Sequence, residues 1–176
     1  MNVIQRIHQL DVFVFSWFMA RKNGKRLARI GRFISFSADG PLYVVTDIVL
    51  WHFHYRLLAS IIAFGFALER CLYFAIKLGF KRNRPADTLK NFHSYITPSD
   101  KFSFPSGHTS GAFFVAYCLA QAFPSYYLLF YIWATHVGLS RLLLGVHFPT
   151  DTLMGALLGV GCAALMVALL HGILPY

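Results

Sequence analysis

The chain has 176 residues, of which 57% are hydrophobic and only 13% are charged. A soluble domain of this size usually carries about 25% charged residues, so the composition indicates a single membrane-embedded domain and argues against a soluble one. The formal net charge is +9. Such an excess suits nucleic acid, anionic lipid headgroups or a phosphorylated substrate, and the positions of the charges must decide between them.

Residues 1–35 are predicted to form an interfacial region. Over residues 3–20 apolar side chains recur at helical spacing opposite polar ones, and the uncharged part begins only at Val12. That part is too short to cross a bilayer, so we favour an amphipathic helix lying in the interface, followed by the basic stretch 21–26. A sixth transmembrane span over the same residues is the alternative.

Residues 36–176 are predicted to form the transmembrane core. Five segments approach the length of about 20 apolar residues that a spanning helix needs. They are 36–53, 57–76, 106–123, 126–144 and 151–170. The predicted fold is therefore an all-α integral membrane helical bundle of five spans, or six if residues 3–20 also cross. In an antiparallel hairpin of the first two spans, Asp39 and Arg70 reach similar depth, and we expect a buried ion pair because an unpaired charge there is costly.

Three polar clusters flank these spans, at residues 77–85, 105–108 and 140–151. The first two lie in the long polar connection between spans two and three. The chain crosses in span three and returns in span four, so the third cluster emerges on the same side. All three clusters can therefore meet at one membrane face. The basic residues follow membrane edges rather than a folded soluble face, which argues against nucleic acid as the partner.

The cations and the backbone of these clusters suit a phosphate group. Lys77, Arg84 and Arg141 can supply fixed positive charge, and arginine adds planar bidentate donors. Pro105 suits the first turn of a helix. The backbone amides of Ser106, Gly107 and His108 would then be free at the helix N-terminus, where anions bind readily.

The remaining polar residues of the clusters suit phosphoryl transfer. His147 and Asp151 can form a nucleophile and its orienting carboxylate. His108 can protonate the departing alkoxide. Lys81, Arg82 and Lys90 occupy no motif position, and we expect them to anchor the helix edges by snorkelling.

The three clusters resemble the signature of the type 2 phosphatidic acid phosphatase and vanadium haloperoxidase superfamily, KxxxxxxRP, PSGH and SRxxxxxHxxxD. Every specified position is matched in order from Lys77 to Asp151. The resemblance implies an all-helical core and a covalent phosphohistidine on His147. It also implies general acid work by His108, with Asp151 holding His147. The phosphate-binding residues that it implies are Lys77, Arg84, Ser106, Gly107 and Arg141.

The expected activity is metal-independent, cofactor-free hydrolysis of a lipid phosphomonoester such as phosphatidic acid or phosphatidylglycerophosphate. A polyprenyl pyrophosphate phosphatase would use the same residues, and a noncatalytic lipid-binding scaffold or transporter is the alternative from another class. A multi-pass protein of the bacterial inner membrane is expected. The positive-inside rule favours a cytoplasmic site because most Lys and Arg lie on its side. The resemblance favours the outer face, where many bacterial relatives work.

Overall fold

All regular secondary structure in the described part of the chain is helical. The computed structural model describes residues 3–173, apart from the side chains at positions 4 and 171–173, and no strand occurs in this part. The helices are α1 (Val3–Met19), α2 (Gly24–Phe36), α3 (Gly40–His52), α4 (Arg56–Phe80), α5 (Pro85–Thr88), α6 (Gly107–Ala122), α7 (Tyr127–Leu143) and α8 (Pro149–Ile173), with a 3-10 turn at Pro124–Tyr126. The predicted all-α class is confirmed.

Three helical stretches among the described residues are long and apolar enough to cross a membrane. They are Gly24–His52, Arg56–Thr88 and Pro149–Leu170. The first differs from the predicted span 36–53, because residues 24–36 form a second helix where only a basic segment was expected. The helix is interrupted at residues 37–39, and Asp39 is extended with φ −78° and ψ 144°. This break brings Asp39 to the start of α3 rather than into a continuous span.

The core of the bundle is built around α6, which packs against α8, α7 and α4. The α6–α8 contact is close enough to exclude side chains at two positions. A Cβ on Gly159 would lie 2.1 Å from the Ser110 carbonyl oxygen, and one on Gly155 would lie 2.6 Å from the Ser106 carbonyl oxygen. The absence of a side chain at these two glycines is what allows the helices to pack so closely. Backbone contact of this kind allows little sliding between the two helices.

Helix α1 confirms the predicted N-terminal helix and has two different faces. Leu10, Phe13 and Trp17 are exposed on one side. On the other side Phe15 is buried and stacks edge-on against Phe92 and Phe148, at centroid distances of 5.2 and 5.5 Å. The exposed apolar side chains suit a membrane interface, whereas the buried face is tied to the start of α8.

Candidate active site

The three polar clusters meet at one cavity of about 260 Å³, as the topology predicted. The first turn of α6, the end of α7 and the turn before α8 contribute to its wall, together with α4 and the segment between α5 and α6. Five residues of the three clusters line it, namely Arg84, Gly107, His108, Arg141 and His147. Lys77 and Asp151 are buried behind the wall and contact lining residues. The clusters thus converge although they are far apart in the chain.

His147 and Asp151 face each other at the start of α8. The turn before them requires Gly145, which has φ +75° and lies so close to Phe92 that a Cβ would be 2.6 Å from its ring. Nδ1 of His147 lies 3.7 Å from Oδ2 of Asp151, which is an ion-pair distance rather than a hydrogen bond. The Phe148 amide donates to the same Oδ2 at 2.7 Å. The carboxylate therefore lies on the Nδ1 side of the ring, which leaves Nε2 for chemistry.

The environment of His147 favours the neutral imidazole. Burial lowers its pKa to about 4, and the positive charges of Arg141 and Arg84 act in the same direction against the opposing effect of Asp151. A neutral ring retains the lone pair that a nucleophile needs. At neutral pH His147 is thus held in the form that can attack phosphorus.

Lys77 and Arg84 share one carboxylate, that of Asp100. Lys77 Nζ lies 3.0 Å from Asp100 Oδ2, and Arg84 Nη2 lies 2.5 Å from Oδ1. Lys77 also donates to the Tyr73 hydroxyl, which donates to Asp100 Oδ2 at 3.0 Å. Burial alone would raise the pKa of Asp100, but the hydrogen bonds and charges of Lys77 and Arg84 hold it below its ordinary value. Asp100 therefore binds the cations that the sequence assigned to phosphate.

Sequence reasoning missed Asp100 because no motif position marks it. The one signal was its location, since it is one of only two acids in the polar connection between the first two clusters. Long connections in compact domains are often functional. The shape of that loop, which brings Asp100 back to α4, could not be inferred from composition.

Asp39 contacts His108, with 2.8 Å between Oδ1 and Nε2. The expected Asp39–Arg70 ion pair is therefore wrong. Arg70 instead pairs with its neighbour Glu69 at 2.5 Å and donates to the Gly107 carbonyl at 3.2 Å. The break before α3 is the physical reason, because it places Asp39 beside the first turn of α6. A carboxylate at this position can orient the His108 ring.

Arg141 extends from the end of α7 towards α2. Its Nη1 donates to the Ser35 hydroxyl at 2.6 Å. Its Nε is buried and has no hydrogen-bond partner among the described residues. A buried donor without a partner is costly, so this guanidinium is suited to an anion that enters the cavity.

The contacts of Ser106 and Gly107 differ from those expected of two phosphate-binding residues. The Ser106 amide donates to the Asp151 carbonyl at 2.9 Å, so the expectation that this amide is free is wrong. Its side chain is buried and its hydroxyl contacts the Thr109 hydroxyl at 2.9 Å. Gly107 lines the cavity, and a Cβ there would lie 3.0 Å from the Tyr73 ring. The lack of a side chain at Gly107 thus leaves the first turn of α6 accessible from the cavity.

Arg82 does not anchor a helix edge as expected. It pairs with Asp151 at 2.8 Å and with Asp11 at 2.6 Å. The snorkelling prediction is wrong for this residue because the chain turns at Lys81, which ends α4 with φ 46°, and carries Arg82 back over α8. Lys81 and Lys90 are exposed, as expected for residues at a membrane edge.

Comparison with known proteins identifies related sequences and structures. Residues 55–173 match the PAP2 superfamily. A lipid A 1-phosphatase of Rhizobium etli is 36% identical over 106 residues, which cover 54% of this chain and 43% of that protein. The chain spans between 23% and 62% of the first three curated relatives that it matches.

Two crystal structures resemble the whole molecule. LpxE of Aquifex aeolicus has a TM-score of 0.81 and 27% sequence identity, with 90% of this chain and 95% of that chain covered. The transmembrane PAP2-type phosphatidylglycerolphosphate phosphatase of Bacillus subtilis has a TM-score of 0.79 and 25% identity, with 100% and 90% covered. The similarity therefore extends beyond the motif residues to the packing of the helices.

Proposed function

Because the chain belongs to the PAP2 superfamily, we propose that it is an integral membrane lipid phosphatase that hydrolyses a phosphomonoester through a phosphohistidine. Its homologues include phosphoric ester hydrolases, among them a lipid A 1-phosphatase and a phosphatidylglycerolphosphate phosphatase. The substrate class is a membrane lipid with a terminal phosphate, of the phosphatidic acid or phosphatidylglycerophosphate type. One observation carries the proposal, namely that Arg84, His108, Arg141 and His147 line a single cavity although they come from separate elements.

In the first step, Nε2 of His147 attacks phosphorus and the bond from phosphorus to the lipid oxygen breaks. His108 donates its proton to the departing alkoxide, which leaves as the lipid alcohol. Asp151, on the Nδ1 side of the ring, stabilises the positive charge that His147 acquires. Arg141 and Arg84 are placed to neutralise the phosphoryl oxygens, where charge is greatest in the transition state.

In the second step, water attacks the phosphohistidine. His108 accepts a proton from the water, the phosphorus–nitrogen bond breaks and inorganic phosphate is released. His147 returns to its neutral form, which its lowered pKa of about 4 favours. No step requires a metal ion, because the charges of the two arginines and Lys77 take the place that a cation would have.

The proposed topology has five spans, formed by α3, α4, α6, α7 and α8, with α1 in the interface. Outward-facing apolar side chains on these helices, such as Val44, Phe64, Leu128 and Leu157, are exposed and suit lipid contact. The cell membrane is the proposed location. A cysteine at Asn91, which is exposed in the loop beside the site, would report the side: labelling by an impermeant thiol reagent on intact cells indicates the outer face.

Phosphate release by the purified protein tests the proposed function. The panel comprises phosphatidic acid, phosphatidylglycerophosphate, lipid A and a polyprenyl pyrophosphate in detergent micelles, with His147→Ala as the matched control. We expect release from a phosphomonoester lipid, inhibition by vanadate and full activity in EDTA. Release only from the pyrophosphate would favour the alternative substrate class. Activity that requires a divalent ion, or no release from any lipid, would contradict the proposal.

A further inference from the structure

Both oxygens of the Asp151 carboxylate are held by other groups. Oδ1 accepts a hydrogen bond from Arg82 Nη1 at 2.8 Å, and the same nitrogen donates to the Thr150 hydroxyl at 2.7 Å. Oδ2 accepts from the Phe148 amide at 2.7 Å and faces the His147 ring. The Arg82 guanidinium also lies over the Phe148 ring, 4.6 Å from its centroid. The orientation of the Asp151 carboxylate thus depends on a residue at an unspecified position of the first motif.

Arg82 is itself held by Asp11, which belongs to the N-terminal helix α1. Arg82 Nη2 donates to Asp11 Oδ2 at 2.6 Å. Asp11 Oδ1 accepts from the Thr150 amide at 3.0 Å, and Oδ2 accepts from the Thr150 hydroxyl. Asp11 therefore caps the first turn of α8 from a different helix, where a negative charge is favourable.

Because Asp11, Arg82 and Asp151 are largely buried, the position of each side chain depends on the other two. Asp11 is 2% exposed and Asp151 is 0% exposed, with Arg82 between them. A buried carboxylate that loses its cation is strongly destabilised, and it changes its contacts or binds a proton. Loss of either Arg82 or Asp11 should therefore disturb Asp151, which shares Arg82 with Asp11.

We infer that Arg82 and Asp11 are positioning residues for the Asp151 carboxylate, so that helix α1 belongs to the active site. The inference rests on the proposed function. The path runs from Asp11 on α1 through Arg82 to Oδ1 of Asp151, whose Oδ2 faces Nδ1 of His147. Neither residue lines the cavity, so their effect is on the rate of phosphoryl transfer rather than on lipid binding.

A double-mutant cycle tests the inference. We expect Arg82→Gln and Asp11→Asn each to lower kcat on the order of 10-fold, a loss like that seen when outer-shell partners are removed at metal sites, with KM unchanged. Because Arg82 acts through Asp151, Arg82→Gln should cause no further loss of kcat in an Asp151→Asn background. An equal fractional loss in both backgrounds would overturn the inference, since it would show an effect independent of Asp151.

The controls separate this inference from the proposed function and from misfolding. Lys81→Gln removes the same charge one residue away, from an exposed position, and should leave kcat unchanged. Asp11→Asn removes the charge but keeps the size of the side chain. It therefore provides a second test of the loss of kcat if Arg82→Gln does not fold. If the wild-type protein releases no phosphate, the proposed function fails. If it does, and both Arg82→Gln and Asp11→Asn match it in kcat, the positioning role alone is refuted.

Discussion

Each end of the helical bundle has a cavity, and the two cavities differ in volume and in the residues that line them. The cavity at the opposite end, near the start of α4 and the end of α6, has a volume of about 510 Å³, against about 260 Å³ at the candidate active site. The larger cavity is lined by His54, Arg56 and Gln121 among mainly apolar residues. The smaller one is lined by Asp100, two histidines and three arginines. Each of its two histidines also faces a carboxylate, that of Asp39 or that of Asp151. Convergence of ionisable groups, rather than volume, distinguishes the end that we propose as the active site.

The largest expected effect at the active end is that of His147→Ala. Loss of the nucleophile should reduce kcat on the order of 10³-fold or more. Assays of phosphate release from phosphatidic acid measure this, together with trapping of the phosphoenzyme by an alkaline denaturing quench, because the phosphorus–nitrogen bond of phosphohistidine is labile in acid. Asp151→Asn should be less severe, because it alters the orientation of His147 and leaves the nucleophile in place. Near-normal turnover by His147→Ala would refute the phosphohistidine mechanism.

Arg141→Lys separates geometry from charge. A lysine keeps the positive charge but has no bidentate fork, and it cannot both reach Ser35 and present two donors to phosphate. We expect kcat to fall on the order of 10²-fold, as when one transition-state donor is removed. The measurement is phosphate release by protein purified in detergent. An unchanged elution volume in size-exclusion chromatography shows that the variant is folded. Equal activity of the two proteins would mean that position 141 supplies charge alone.

Asp100→Asn should have a moderate effect on anion binding, and we expect it to strengthen binding rather than weaken it. The carboxylate occupies Lys77 and Arg84, so an incoming phosphate must displace it. Asp100 is 35% exposed, so solvent weakens its ion pairs, and displacing it should cost the incoming anion about 1 kcal/mol of binding free energy. Without this cost, vanadate should bind about fivefold more tightly to the variant. Inhibition curves measure the change. Weaker vanadate binding would show that Asp100 helps to hold the anion instead of competing with it.

The smallest effect is expected at the opposite end. Gln121→Ala and His54→Ala alter the lining of the larger cavity, and activity should stay within about twofold of the wild-type value, as is typical of substitutions outside a site. The same lipid phosphate assay measures this, with thermal unfolding as a check on stability. A large loss of activity with normal stability would mean that the larger cavity contributes to turnover.

Residues with a fixed spacing were the part of the site that sequence could predict. The motif positions are occupied by Lys77, Arg84, His108, Arg141, His147 and Asp151. Spans three and four make two crossings between the second and third clusters, and this even number predicts that all three clusters lie on one face. Their neighbours could not be predicted in the same way.

The contacts of Asp39, Arg82 and Asp100 depend on backbone direction in irregular segments. The break at residues 37–39, the turn at Lys81 and the course of the loop before α6 decide these contacts. Helix α2 was missed because its charged residues were interpreted only as a basic segment that follows the interfacial helix. Its basic side chains are mainly exposed, and Gly31 packs against α7, where a Cβ would lie 3.5 Å from the Ser140 carbonyl oxygen.

The glycine contact between α6 and α8 has a consequence for how this scaffold can acquire new substrates. His108 is on α6 and Asp151 is on α8, and their backbones touch at Gly155 and Gly159. The separation between the proposed proton donor, His108, and the carboxylate that we propose to hold the nucleophile is therefore set by main-chain contact rather than by side chains. We therefore expect headgroup preference to depend mainly on elements outside this pair, such as α3 and the loop before α6. Chimeras that exchange those elements with a relative would keep the chemistry and transfer the selectivity.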